Sequence, residues 1–199
     1  MFTPGGTVKL REAIVDKFRR DNDIQCSIDD ISVGCGGKQV IYQACLATLR
    51  EGDEVAMAVP YWASYSDIVG MNGGAFRPIM TSPDNGYALQ AADLEAAITA
   101  RTKWFVLNSP SNPSGTAYDW NQLAEFAEVI RRNPNKGFLI LVDDIYEHIL
   151  YDGRPFCTLA QVAPDLAGRI LTVNGVPKAY SMTGWRLGYA AGPKEIIGQ

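Results

Sequence analysis

The stretch LTVNGVPKAYSMTGWRLGYAAG, residues 171–192, sets one lysine, Lys178, after a β-branched apolar run and places Arg186 eight positions further on. Most lysines are solvated surface charges. One held at the buried edge of a sheet is partly desolvated, is more often a neutral amine, and can attack a carbonyl to form a Schiff base. The planar fork of an arginine suits a phosphate, which it meets with two parallel hydrogen bonds. A second phosphate candidate is SVGCGGKQVIYQ, residues 32–43, where glycines lead from a short apolar segment directly into a helical pattern. Glycine lets the backbone approach an anion closely, and the first N–H groups of a helix point at it. It is not the dinucleotide fingerprint, because Gln39 stands where the third glycine belongs, nor a P-loop, because no G-K-[ST] follows. A plain strand-to-helix turn remains the alternative reading.

Other polar groups follow apolar runs. FLILV delivers Asp143 and Asp144, then Tyr146; WFVL leads into NSPSNPSG, which carries Asn112; VPYWASY, residues 59–65, sets Trp62 beside a proline turn. Each of these taken alone is compatible with ordinary turn chemistry. Together they describe the needs of one cofactor, pyridoxal 5'-phosphate. Its aldehyde takes a lysine amine, and its phosphate takes an arginine and a glycine-led helix start. Its ring nitrogen is kept protonated by a carboxylate. Asn112 and Tyr146 are available to its phenolic oxygen, and Trp62 to its ring face.

Positioning such groups requires a sheet. Apolar runs of strand length recur at 54–59, 104–109, 138–144, 169–175 and 186–192. Between them lie helical periods: TVKLREAIVDKFRRDN, a run from Gly36, and DWNQLAEFAEVIRR, in which Leu123, Phe126, Val129 and Ile130 share one side. Continuous apolar strands separated by helices predict an α/β chain with a mostly parallel sheet covered by helices on both faces. Ligands of such sheets bind outside the carboxyl ends of the strands. At 199 residues and 47% hydrophobic, the chain can bury one sizeable core. The 18 basic and 22 acidic residues, in no long run, argue against nucleic acid or an anionic membrane as partner. No apolar stretch approaches the roughly 20 residues that span a bilayer. Four cysteines match no zinc or redox spacing, and no secretory leader opens the chain, so a soluble, cytoplasmic protein with reduced thiols is expected.

From about Thr3 to about Glu195 the chain resembles the large domain of class I/II, fold type I aminotransferases, most closely the bacterial aspartate aminotransferase branch. GGKQ, PYWASY, NSPSNPSG, DDIYEHI and KAYSMTGWRLGY occur in the family's order. The resemblance implies a three-layer α/β/α fold and transamination between an amino acid, aspartate or glutamate by default, and a 2-oxo acid. It implies Lys178 as the Schiff-base lysine that also moves the proton, Asp143 at the pyridine nitrogen, and Asn112 and Tyr146 at the phenolic oxygen. Trp62 then lies against the ring, with Arg186 and the amides of Gly36, Gly37 and Lys38 on the phosphate. Asp144 and His148 become supporting or structural residues. A homodimer is implied for the full-length family.

The chain departs from the family pattern in places. Gly175 stands where many relatives carry a phosphate-binding serine, and Pro177 directly precedes Lys178. Met1 or Phe2 stands where relatives present a tyrosine to the neighbouring subunit's phosphate. Members run to about twice this length, so residues 1–199 are expected to be the cofactor-binding domain, lacking the amino-terminal arm and the carboxyl-terminal small domain that grips the substrate carboxylate. Further readings are a truncated, weakly active or silent cofactor-binding fragment, a carbon–sulfur lyase, or the sensor domain of a regulator.

Overall fold

The computed structural model describes residues 5–198. Seven strands form one sheet: β1 (Ile31–Cys35), β2 (Glu54–Val59), β3 (Ala75–Met80), β4 (Thr102–Asn108), β5 (Leu139–Asp143), β6 (Ile170–Gly175) and β7 (Leu187–Ala191). Their spatial order is β1-β7-β6-β5-β4-β2-β3. The β2–β3, β2–β4, β4–β5 and β5–β6 pairs are parallel, whereas β7 is antiparallel to both of its neighbours. The apolar runs at 54–59, 104–109, 138–144, 169–175 and 186–192 all fall on strands. The edge strand β3 lacks that signature because it is half-exposed and holds Pro78, which an edge tolerates and a central strand does not.

The helices are α1 (Val8–Asn22), α2 (Gly37–Thr48), α3 (Ser64–Met71), α4 (Ala91–Ala97), α5 (Trp120–Arg132), α6 (Leu159–Val162) and α7 (Lys194–Ile197). Side chains alternate along a strand, so β4 sends Phe105 and Leu107 to one face of the sheet and Trp104 and Val106 to the other. The first face packs on α4 and α5 through Leu94, Leu123 and Phe126. The second packs on α2 and α3 through Val40, Ile41, Tyr65 and Ile68. The predicted layering of helices over both faces is what the structure holds. A smaller cluster seats α1 on β1 and β7, where Phe18 meets Tyr189 edge-on with centroids 5.6 Å apart. Local signals agree with these elements: Thr7 caps α1 by accepting from the Leu10 N–H, and Asp119 and Gln122 form a reciprocal capping box on α5. Among the described residues no helix is long and apolar enough to cross a membrane.

This topology decides where the chemistry can gather. Strands β2, β4, β5 and β6 run the same way, and so does β1, since both β1 and β6 oppose β7. Their carboxyl ends therefore share one edge. The reversed β7 begins at that same edge, which brings the residue preceding Leu187 there as well.

Candidate active site

At this edge one cavity is lined by residues from five separate segments. Gly37 and Lys38 come from the start of α2, Trp62 from the turn after β2, and Asn112 from the loop after β4. Asp143 and Tyr146 follow β5, and Lys178 follows β6. The remaining two predicted residues, Gly36 and Arg186, adjoin it. Gly36 has φ of +87°, a conformation that favours glycine, and a Cβ there would lie 2.6 Å from Arg186 Nη2, so a side chain would displace the guanidinium. The Arg186 guanidinium donates to the Cys35 carbonyl at 3.3 Å and the Thr183 carbonyl at 3.2 Å, which holds it against the N-terminus of α2. Gly188 completes the cradle: a side chain there would collide with the Gly36–Gly37 backbone.

Asp143 is buried at the end of β5. Its Oδ2 accepts from the Tyr65 hydroxyl at 2.6 Å and its Oδ1 from the Ile145 N–H at 3.2 Å. Burial pushes its pKa up, and these two donors oppose that rise. Burial, reinforced by the negative charge of Asp143, pushes the Tyr65 hydroxyl well above the ordinary tyrosine range and keeps it a donor. Tyr65 also meets Trp62 edge-to-face, with centroids 5.2 Å apart. Across the cavity the Asn112 side chain donates to the Tyr146 hydroxyl at 3.4 Å. Burial raises the Tyr146 pKa, followed by the charge of Asp143, and the Asn112 bond works against both.

Lys178 departs from expectation in one respect. Strand β6 ends at Gly175, and the turn that follows carries Lys178 out over the cavity mouth, so the residue is exposed where the apolar run had suggested desolvation. Its Nζ lies 5.9 Å from the Tyr146 ring centroid, facing the same cavity as Asp143. At Gly175 a Cβ would come within 2.8 Å of the Leu187 carbonyl, so a serine there would need β7 to move. The segment at Met1 and Phe2 lies outside the described residues.

Asp144 turns away from the cavity. It is buried, no hydrogen bond of normal geometry reaches either carboxylate oxygen, and burial raises its pKa well above the ordinary range, partly offset by the nearby Thr158 hydroxyl. His148 lies 3.2 Å from the buried Glu147, which Lys17 and Asn22 of α1 also contact. Two polar residues of the cavity wall, Tyr65 and Asn108, were given no role from the sequence. Tyr65 stands three positions after Trp62 in a quoted motif. Asn108 ends β4 directly opposite Asp143. A polar residue closing an apolar strand was the available signal for it.

The profile of the family described as Aminotransferase class I and II matches residues 1–199. The aspartate aminotransferase of Rhizobium meliloti (strain 1021) is 52% identical over 194 residues, covering 96% of this chain and 46% of that protein. The aspartate/prephenate aminotransferase of Cereibacter sphaeroides is 50% identical over 192 residues, covering 96% and 48%. The crystal structure of the Rhizobium meliloti aspartate aminotransferase superposes with a TM-score of 0.95 at 50% identity, covering all of this chain and 49% of that one. The Thermus thermophilus aspartate aminotransferase with maleate gives 0.91 at 41% identity, covering 100% and 50%. The chain thus spans about half the length of the relatives it matches. With a profile match over its whole length and this fold beneath it, the chain belongs to the class I and II aminotransferases.

Proposed function

We propose that these residues form the cofactor-binding domain of an enzyme that moves an amino group from an amino acid to a 2-oxo acid, with pyridoxal 5'-phosphate held in the cavity at the strand ends. The observation that carries this reading is that Lys178, Asp143, Asn112 and Tyr146 line one cavity, with Asn112 donating to the Tyr146 hydroxyl. The donor set fits the cofactor: an amine for its aldehyde, a buried carboxylate for its ring nitrogen, an amide and a phenol for its phenolic oxygen. The crowded Gly36–Arg186 cradle fits its phosphate.

When bound, pyridoxal phosphate supplies an electron sink for the substrate's α-carbon. The chain's own groups do the rest. Arg186 and the amides of Gly36, Gly37 and Lys38 bind the phosphate, and Trp62 packs on the ring face. Asp143 holds a proton on the ring nitrogen, which keeps the ring electron-poor. Asn112 and Tyr146 orient the phenolic oxygen. Lys178, as a free amine, would move the proton between the substrate α-carbon and the cofactor's C4′ carbon.

Lys38 Nζ lies 4.9 Å from the Trp62 ring centroid and adds a positive charge at the cavity wall. That favours an acidic amino donor, aspartate or glutamate, in keeping with the relative solved with maleate, a dicarboxylate. The reading carries with it a cytoplasmic chain that pairs with a second copy. The test is reduction of the chain with borohydride in the presence of pyridoxal phosphate, followed by peptide mapping. A single mass addition on Lys178, absent from Lys178→Ala, is expected; label spread over surface lysines and unchanged in the variant overturns the assignment.

A further inference from the structure

Asn108 closes β4, and its side chain ties together two main-chain groups beyond it. Nδ2 donates to the Asp143 carbonyl at 2.8 Å, across the β4–β5 pair in which these two residues face each other in register. Oδ1 accepts from the Asn112 main-chain N–H at 2.8 Å, four residues along the same loop. Both groups lie where the sheet ladder runs out, since Asn108 and Asp143 are the last residues of their strands. The Asp143 carbonyl takes one other main-chain donor, the Ser109 N–H, at a longer 3.3 Å. Asn108 itself is half-buried in the cavity wall.

Resting on the cofactor reading above, we infer that Asn108 is a positioning residue: its amide fixes the main-chain separation between Asp143 and Asn112. The partners assigned to these two, a ring nitrogen and a phenolic oxygen, sit on one rigid ring. Groups that must meet two points of a rigid body need holding to within about 0.5 Å. Asp143 has its own side-chain anchors in Tyr65 and Ile145. Asn112 has a long 3.4 Å contact to Tyr146 and otherwise depends on its loop. The Asn108 amide supplies what the loop lacks, because it offers a donor to one main chain and an acceptor to the other from two atoms of one short side chain. An aspartate keeps the acceptor and loses the donor; a leucine, branched alike but bulkier, and an alanine, smaller, each lose both.

The experiment compares the wild-type chain with Asn108→Leu, Asn108→Ala and Asn108→Asp. Three quantities are read: amide exchange at Asn112 without cofactor, the dissociation constant for pyridoxal phosphate from tryptophan quenching, and the pH midpoint of the Lys178-dependent visible absorbance. Asn108→Leu and Asn108→Ala are expected to speed Asn112 exchange and weaken binding, each about tenfold, and to move the midpoint. Asn108→Asp is expected to keep Asn112 protected. A purely structural asparagine would change thermal stability and leave the midpoint in place. An unchanged dissociation constant and midpoint in Asn108→Leu, with the wild-type absorbance present, overturns the positioning role and leaves the cofactor reading intact. If the wild-type chain shows no Lys178-dependent absorbance, both are overturned.

Discussion

The Tyr65 hydroxyl on α3 donates to Oδ2 of Asp143 at the end of β5, 2.6 Å away and 78 positions later in the chain. Burial of Asp143 favours its neutral form, which is the wrong charge for a partner of a protonated ring nitrogen. The phenol offsets part of that effect and fixes one carboxylate oxygen, leaving the carboxylate oriented from a wall that also contains Trp62.

Removing that donor tests the balance. The folded pKa of Asp143 already lies above its unfolded value, so its ionisation subtracts stability as pH rises from the ordinary aspartate range through the folded value. Tyr65→Phe raises the folded value further and enlarges the protonated fraction. We predict pyridoxal phosphate binding about tenfold weaker in Tyr65→Phe, with the deficit growing as pH is lowered. Fluorescence titrations at several pH values will show it.

Arg186 is assigned to the phosphate alone. Arg186→Ala should lose roughly 10- to 100-fold in affinity for pyridoxal phosphate, the range expected of charge-assisted hydrogen bonds, while its affinity for pyridoxal, which lacks the phosphate, stays near wild type. Equal losses for both ligands would place the guanidinium elsewhere in the mechanism.

Glu147 is buried directly after Tyr146, with Lys17 as its ion-pair partner and Asn22 donating to it at 2.8 Å, so α1 is pinned to the site-bearing turn. Lys17→Met leaves a buried carboxylate without its cation. A cost of about 3–5 kcal/mol is expected, read by urea denaturation. The double variant Lys17→Met with Glu147→Gln should recover much of it.

Asp144 provides a second titration. Its folded pKa is raised well above the unfolded value, so the native chain holds this proton more tightly and stability falls as pH climbs through that window. Asp144→Asn removes the titration. The variant should be more stable than wild type at neutral pH, by about 1 kcal/mol or more, and its stability should vary less between mildly acidic and neutral conditions.

How much of this was legible in the sequence follows from which physical effects leave a local trace. Strands β4, β5 and β6 are buried on both faces and wrote themselves as apolar runs, and Asp143 and Lys178 were found because polar residues end such runs. Strand β3 was hidden because an edge strand with Pro78 need not be apolar. Tyr65 was passed over because an aromatic in a motif reads as packing, and its bond to Asp143 depends on α3 folding over the strand ends. Asn108 closes the apolar run of β4 but was given no role, because its importance lies in the register of β4 against β5. The exposure of Lys178 was misjudged because an apolar run predicts the burial of its strand, not of the turn beyond it.

The central claim is that Lys178 and Asp143 grip opposite ends of one bound molecule. A crystal structure of the chain soaked with pyridoxal phosphate measures this directly. Continuous density from Lys178 Nζ into the ligand, with its ring nitrogen within hydrogen-bonding distance of Asp143, is the predicted result. A ligand lodged elsewhere, or one joined to Lys178 with its ring turned away from Asp143, contradicts the account.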